Sequence, residues 1–185
     1  MVWSCLVSIL PGMAQTEKLT DYVNPFVGTD GYGNVYPGAQ IPFGGIQISP
    51  DTDSRFYDAA SGYKYNHLTL MGFSLTHLSG TGIPDLGDFL FIPGTGEMKL
   101  EPGTHEDPDQ GYRSRYSHDK EWASPNYYAV ELADYGVKAE MTSGVRSGMF
   151  RFTYPESDNA FIMIDMNHTL WQSCEWSNLR MINDS

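Results

Sequence analysis

Three alternating segments follow one another in the second half of the chain, and they constrain the fold more than any other feature. They are "NYYAVELA" (126–133), "VKAEMT" (137–142) and "VRSGMFRFTY" (145–154), separated by short turns that contain Gly136 and Gly144. Alternation with a period of two is typical of strands whose faces differ, and turns of this length join antiparallel neighbours. The sequence therefore predicts an antiparallel sheet here, continued by the apolar run "AFIMIDM" (160–166).

The first half of the chain predicts short strands between turns. Residues 21–61 are dominated by Gly, Pro, Asn and Asp, which leaves little room for a helix. Short strands are predicted at "GGIQIS" (44–49), at 68–73 and at "FLFI" (89–92), while the polar stretch 101–125 is predicted to cross an edge or the surface. Six to eight strands without an amphipathic helix indicate an all-β fold, an antiparallel β-sandwich in one domain.

The net charge of the chain limits the classes of molecule that it is expected to bind. Eleven Lys and Arg against 23 Asp and Glu give a net charge of −12, which disfavours nucleic acid and anionic lipid. A neutral ligand such as a sugar, or a cation, fits this balance better. With only Cys5 and Cys174 present, a structural disulfide is not expected.

The N-terminal stretch 1–15, "MVWSCLVSILPGMAQ", is predicted to be a signal peptide with a truncated or atypical start. Its apolar run is followed by a Pro-Gly break and small residues, but it lacks a basic beginning, and a buried strand is the alternative. It is much shorter than the roughly 20 residues that span a bilayer. We therefore expect no membrane span, a secreted or periplasmic location, and a sandwich domain over residues 16–185.

The stretch "THLSGTGIPDLGD" (76–88) is rich enough in polar residues to be tested as an active centre. It lacks the G-x-S-x-G elbow of a serine hydrolase, and the five histidines of the chain are scattered too widely for zinc. Asp85 and Asp88 are candidates for the carboxylate pair of a glycosidase, but aspartates beside Gly and Pro are more often turn formers. The stretch is interpreted as a shaped loop, and we call it the signature loop.

Three segments, in this order and spacing, resemble the N-terminal domain of the glycoside hydrolase family 92 exo-acting α-mannosidases. They are "VNPFVGTDGYGNVYPGAQIPFGGIQISPD" (23–51), "SGYKY" (61–65) and "GFSLTHLSGTGIPDLGD" (72–88). The later "HDKEWASPNYYAVELADYGVKAEMT" (118–142) is similar in character. The resemblance covers most of the chain from Asp21 onward.

The resemblance implies a secreted or periplasmic, calcium-dependent enzyme that removes terminal α-linked mannose from glycans with inversion. The family pairs an N-terminal β-sandwich with an (α/α)₆ helical domain, which supplies the catalytic carboxylates and the calcium ligands. The chain ends before such a domain and before a complete sandwich. It is therefore expected to be an incomplete N-terminal domain with no catalytic residue and no metal ligand of its own, inactive without the missing helical partner domain.

The resemblance also implies which residues meet the substrate. The family carries a tryptophan and an aspartate just before the Ser-Gly-Tyr motif, and Tyr57 and Asp58 stand at these positions. Tyr57 is interpreted as a wall of the mannose pocket, with packing under a loop as the alternative. His77 is interpreted either as a polar group at the domain junction or as a core histidine with satisfied hydrogen bonds. Asp85 and Asp88 are expected to hold their own loop.

The resemblance and the composition of the chain are compatible with two functions from different classes. The first is the substrate-shaping part of an inverting α-mannosidase, with an α-1,2 linkage preference as the finer expectation. The alternative is a stand-alone carbohydrate-binding β-sandwich module, and a remnant that cannot fold is the third possibility, since an unfinished sandwich leaves sheet edges uncovered. Both functional interpretations take a mannose-containing glycan as the ligand.

Overall fold

The structure, a computed structural model, describes residues 17–55, 57–80 and 82–183 as short strands joined by turns. The signal peptide predicted at 1–15 lies outside these residues. The strands are β1 Ala39–Gln40, β2 Gln47–Asp51, β3 Thr69–Leu70, β4 Gly72–Ser74, β5 Leu90–Thr95, β6 Ser114–Arg115, β7 Glu121–Ser124, β8 Tyr127–Leu132, β9 Val137–Ser143, β10 Gly148–Thr153 and β11 Ala160–Asp165. The helical turns are of the 3₁₀ type, at Leu19–Tyr22, Tyr57–Ala59, Pro108–Gln110 and His118–Lys120.

The strands form two main antiparallel sheets and one small one. The first sheet has the order β1-β2-β4-β5-β11, and the second is a meander with the order β10-β9-β8-β7. Strands β3 and β6 pair separately, with Thr69 opposite Arg115 and Leu70 opposite Ser114. The fold is therefore the predicted antiparallel β-sandwich, without an α-helix in the described residues.

The core lies between the two main sheets. It combines Ile48 of β2 and Phe73 of β4 with side chains of β8 and β9, among them Tyr128, Val130 and Met141. These side chains are almost completely buried because strand residues of alternate positions point to the same face. Strand β9 packs across β1, β2 and β5, so each sheet covers the apolar face of the other.

The predicted strands and the observed ones agree best where alternation is clear. Strands β8, β10 and β11 lie within the segments that the pattern indicates, and β9 extends one residue beyond its segment. The run 68–73 instead contains two short strands, β3 and β4, which belong to different sheets. The polar stretch 101–125 holds β6, β7 and the buried Arg113, so the prediction of six to eight strands was too low.

The first sheet positions the residues of interest. The turn Tyr57–Ala59 follows β2, the signature loop connects β4 to β5, and the segment 166–172 follows β11. The segment 166–172 contacts both the signature loop and the residues before the turn, since the N–H of Leu170 donates to the Leu86 carbonyl and the N–H of Trp171 to the Ser54 carbonyl, each over 2.8 Å. In the described part of the chain, no helix has the length and apolar character needed to cross a bilayer.

Candidate functional site

The signature loop is closed at its base by hydrogen bonds between its two ends. His77 and Leu86 form an antiparallel bridge, and the N–H of Gly87 donates to the Thr76 carbonyl over 2.9 Å. The Thr76 hydroxyl donates to Asp88 Oδ2 over 2.8 Å, and Asp85 Oδ1 accepts the N–H of Leu86 over 2.8 Å. Both aspartates are exposed and hold the loop, as expected from turn chemistry.

Tyr57 lies at the tip side of this loop with 58% of its surface exposed. Gly82 separates it from Asn34: a Cβ on Gly82 would lie 3.3 Å from the Tyr57 hydroxyl oxygen and 3.1 Å from Asn34 Nδ2. Gly82 has φ +62°, a conformation that favours glycine, so this position has both a backbone and a space requirement. Tyr57, Asn34 and Gly82 thus form a continuous surface, which we call the tyrosine face.

Asn34 ties a second loop to the signature loop. Its carbonyl accepts the N–H of Gly80 over 2.6 Å, and its own Nδ2 donates to the Tyr32 carbonyl over 3.2 Å. Asn34 Oδ1 is enclosed and has no hydrogen-bond partner in the described structure. A buried amide oxygen without a donor is uncommon, and a small ordered donor such as a water would satisfy it.

Asp58 shares the 3₁₀ turn of Tyr57, but its side chain lies outside the part of the chain that the structure describes. Its predicted contact with substrate therefore stays a prediction.

Behind the loop, one buried carboxylate holds two histidines. Asp51, at the end of β2, lies 2.8 Å from His77 Nε2 through Oδ1 and 2.7 Å from His168 Nε2 through Oδ2. The side chains of Asp51 and His77 are fully enclosed, and that of His168 is 5% exposed. We call these three residues the aspartate–histidine cluster. It connects β2, the signature loop and the segment after β11.

The hydrogen bonds of this cluster favour an ionised Asp51. Burial alone would raise the pKa of Asp51, but the charges and hydrogen bonds of His77 and His168 outweigh it and hold that pKa well below its usual range. His77 Nδ1 lies 2.7 Å from the Gln47 carbonyl, and its Nε2 also lies 3.0 Å from the Ser74 hydroxyl. Both ring nitrogens of His77 therefore have polar partners.

The Ser-Gly-Tyr motif packs against the same carboxylate. Gly62 has φ +83°, and a Cβ there would lie 2.0 Å from Asp51 Oδ1 and 3.1 Å from the His77 ring. Any side chain at position 62 would displace Asp51 from His77. The motif is therefore needed to form the cluster, whatever its other roles.

For His77 the geometry favours the second of the two interpretations given above, a core histidine with satisfied hydrogen bonds. A fully enclosed imidazole does not reach a ligand in this conformation, so we assign His77 to the support of the signature loop. The pairing of Asp51 with His168 was not predicted from the sequence. They are separated by 117 positions, and no local pattern connects them.

The described residues offer no calcium site of the usual kind. Calcium is bound by six to eight oxygens, most of them from carboxylates and carbonyls. Among residues 17–55, 57–80 and 82–183, no group of three or more His, Cys, Asp or Glu side chains is arranged to hold a metal ion, the aspartate–histidine cluster included. The calcium ligands were expected outside this chain, and that expectation stays a prediction.

Known proteins resemble this chain in sequence and in fold. The sequence profile of the glycosyl hydrolase family 92 N-terminal domain matches residues 22–185. The chain belongs to this family. A secreted glycosidase of Arthroderma benhamiae, described as uncharacterized, is 30% identical over 139 residues, which is 74% of this chain and 17% of that protein.

Solved structures of family 92 share the fold. One GH92 family glycosyl hydrolase is 32% identical with a TM-score of 0.69, over 81% of this chain and 20% of that chain. The Family GH92 inverting mannosidase of Bacteroides thetaiotaomicron is 27% identical with a TM-score of 0.65, again over 81% and 20%. The chain thus spans about a fifth of the length of these family 92 members.

Proposed function

We propose that this chain forms the substrate-shaping N-terminal part of an inverting, exo-acting α-mannosidase that removes terminal mannose from glycans. The observation that carries the proposal is the family match over residues 22–185, together with an exposed aromatic side chain at the position of the family's pocket tryptophan. Export to the periplasm or the medium belongs to the same proposal, supported by a matched relative described as secreted.

In this proposal the tyrosine face is one wall of the mannose pocket. A half-exposed tyrosine presents an apolar ring and a hydroxyl, which together suit the mixed surface of a sugar. Its ring is smaller than the indole that the family carries there, so the pocket is wider at this point. The α-1,2 preference is part of the proposal and depends on what fills that extra space.

The chemistry itself is assigned to residues beyond this chain. Hydrolysis with inversion needs one carboxylic acid and one carboxylate about 6.5–9.5 Å apart across the scissile bond. Asp85 and Asp88 are engaged in holding their own loop, and Asp51 is enclosed by two histidines. We therefore place the acid, the base and the calcium ligands in the helical domain that the resemblance implies.

A stand-alone carbohydrate-binding module is the second candidate, and the half-exposed Tyr57 favours it as well, because an aromatic face binds a sugar without any catalytic group. Calorimetric titration of the purified chain and of its Tyr57→Ala variant with mannobiose separates the two functions. Dissociation constants below about 1 mM that are lost in Tyr57→Ala would favour the module. Absence of binding at the tyrosine face would favour an incomplete pocket that needs its partner domain.

Assay of the purified chain on an aryl α-mannoside with calcium tests the assignment of the chemistry. We expect no hydrolysis above the buffer rate. Hydrolysis that disappears in an Asp58→Asn variant prepared in parallel would contradict the proposal, because a contaminating enzyme would not respond to this substitution. The exposed Asp85→Asn variant serves as the matched control.

A further inference from the structure

An open cavity lies beside the first sheet, and its lining includes Arg55, two residues before Tyr57. It has a volume of about 800 Å³ and is formed by the end of β11, the segment 167–172 and residues after β2. This volume is in the range of about 300–1,000 Å³ that is usual for small-molecule sites. Tyr57 and His77 are not among its lining residues. The cavity is therefore distinct from the pocket wall proposed above.

Trp171 lines this cavity and is held in an unusual conformation. Its backbone has φ +71°, a region that bulky residues rarely adopt, and its side chain remains 56% exposed. Its N–H donates to the Ser54 carbonyl over 2.8 Å, and the preceding Leu170 is fully buried with its N–H on the Leu86 carbonyl at 2.8 Å. Backbone strain of this kind persists where the surroundings enforce it and concentrates at ligand sites.

The neighbours of the indole provide both apolar contact and hydrogen bonds. Met71 and Met163 line the apolar part of the cavity, and Arg55, Asp165 and Gln172 line its polar part. Asp165 Oδ1 already accepts the N–H of Asn167 over 2.8 Å, which fixes the orientation of the carboxylate. An aromatic ring beside a few oriented polar groups is the usual composition of a site for a small polar ligand.

Tyr112 adds a donor on the same wall. Burial, and then the charge of Asp165, raise the pKa of Tyr112, so its phenol stays protonated at all ordinary pH values. The cavity also combines the positive Arg55 with the negative Asp165 and Glu101. The excess of negative charge, in a chain of net charge −12, disfavours an anionic ligand.

We propose that this cavity is a second carbohydrate site, which binds a neutral hexose unit of a glycan. The apolar face of the pyranose ring packs on Trp171, and its hydroxyls hydrogen-bond to Arg55, Asp165 and Gln172. The site would hold a further sugar of the same glycan or of a neighbouring one, outside the pocket where the terminal mannose is cleaved. It does not depend on the proposed function, because a binding module would use it in the same way.

Titration of the 185-residue chain with methyl α-mannoside and with mannobiose, followed by tryptophan fluorescence and calorimetry, tests this site. We expect saturable binding with a change in indole emission. Trp171→Ala should weaken it about tenfold and remove the emission change, since aromatic contacts contribute roughly 0.5–1.5 kcal/mol beyond area. Trp171→Phe should retain part of the affinity. Sialic acid, which is anionic, should not compete.

Matched variants distinguish sugar binding at the second site from sugar binding at the tyrosine face. Trp176→Ala removes a more exposed indole, 79% accessible, that does not line the cavity, and it should leave binding unchanged. Arg55→Ala changes a side chain that is 58% exposed, so it should keep the fold and weaken binding even if Trp171→Ala unfolds. Circular dichroism melting curves check the fold of each variant.

Two results would overturn the second site. One is wild-type chain that binds neither sugar up to tens of millimolar. The other is binding that survives Trp171→Ala and Arg55→Ala but is lost in Tyr57→Ala, which would place the sugar at the tyrosine face instead. The reverse pattern, with Tyr57→Ala binding normally, would support the second site even if the proposed mannosidase pocket fails its own test.

Discussion

At the scale of single residues, Asp51 determines whether the signature loop and the segment after β11 stay in place. Its two carboxylate oxygens bind His77 and His168, which lie 26 and 117 positions further along the chain. Replacing Asp51 by Asn would leave two enclosed imidazoles with one neutral amide between them. Because breaking a buried ion pair leaves an uncompensated charge, we expect Asp51→Asn to lower the free energy of unfolding by about 3–5 kcal/mol.

Urea denaturation at neutral pH measures this loss, with the exposed Asp85→Asn as the control variant. Asp85 is exposed and its side chain accepts the backbone N–H of its neighbour, so its substitution should cost about 1 kcal/mol or less. Equal effects of the two substitutions would contradict the role of the aspartate–histidine cluster.

The same carboxylate predicts an acid dependence of stability. The pKa of Asp51 is lowered in the folded chain, so folding is favoured by its ionised form. This contribution is fully present above the unfolded pKa of about 3.9, and it is lost as the pH falls through the lower folded value. The stability difference between wild type and Asp51→Asn should therefore be constant above about pH 5 and shrink toward pH 2. A difference that does not change over this range would contradict the assignment.

At the scale of elements, the β9–β10 hairpin is stabilised by a cross-strand pair on its outer face. Arg151 lies opposite Glu140, and its Nε and Nη2 each donate to a different carboxylate oxygen over 2.7 Å. The Arg151 hydrogen bonds, then that of Tyr127, lower the pKa of Glu140 to about 2. Such two-pronged geometry is specific to the guanidinium group.

Arg151→Ala should lower the free energy of unfolding by up to about 1 kcal/mol, because the Arg151 side chain is 72% exposed, so that solvent and salt weaken its pair with the 8% exposed Glu140. Arg151→Lys should recover only part of this, since an ammonium cannot reproduce the fork. The exposed Arg146→Ala in the β9–β10 turn is the control and should change stability very little. Thermal melting at low and high salt measures the effect, and a cost that is independent of salt would argue against an electrostatic pair.

The elements also show what the sequence could and could not predict. Strands β8 to β11 were predicted because alternation and turn residues are local signals. The burial of Arg113 was not predicted. Its guanidinium group donates hydrogen bonds to the Thr52 carbonyl and the Thr69 hydroxyl, and both residues are more than 40 positions away in the sequence. The tyrosine face was reached through resemblance alone, and the aspartate–histidine cluster was missed because only the folded sheet brings its members together.

At the scale of the whole molecule, the two main sheets share one core. Phe73 of β4 is fully buried, and its ring lies 6.5 Å from that of Phe150 and 6.3 Å from that of Phe152, both in β10 of the opposite sheet. A ring enclosed between two sheets covers the apolar face of both. If one sheet unfolds, the apolar face of the other therefore becomes exposed. The chain should therefore unfold as one cooperative unit.

Phe73→Ala tests this cooperativity. We expect it to lower the free energy of unfolding by about 3–5 kcal/mol through the lost burial and the cavity that remains. Far-ultraviolet circular dichroism reports the strands and near-ultraviolet circular dichroism reports the packed aromatic rings, so both melting curves should coincide in the wild type and shift together in the variant. Met149→Ala, which removes a side chain 68% exposed on β10, is the control and should leave both curves in place. Separate transitions, or a wild type without any cooperative melting, would show that the sandwich does not fold as one unit and would favour a chain that needs its partner domain to fold.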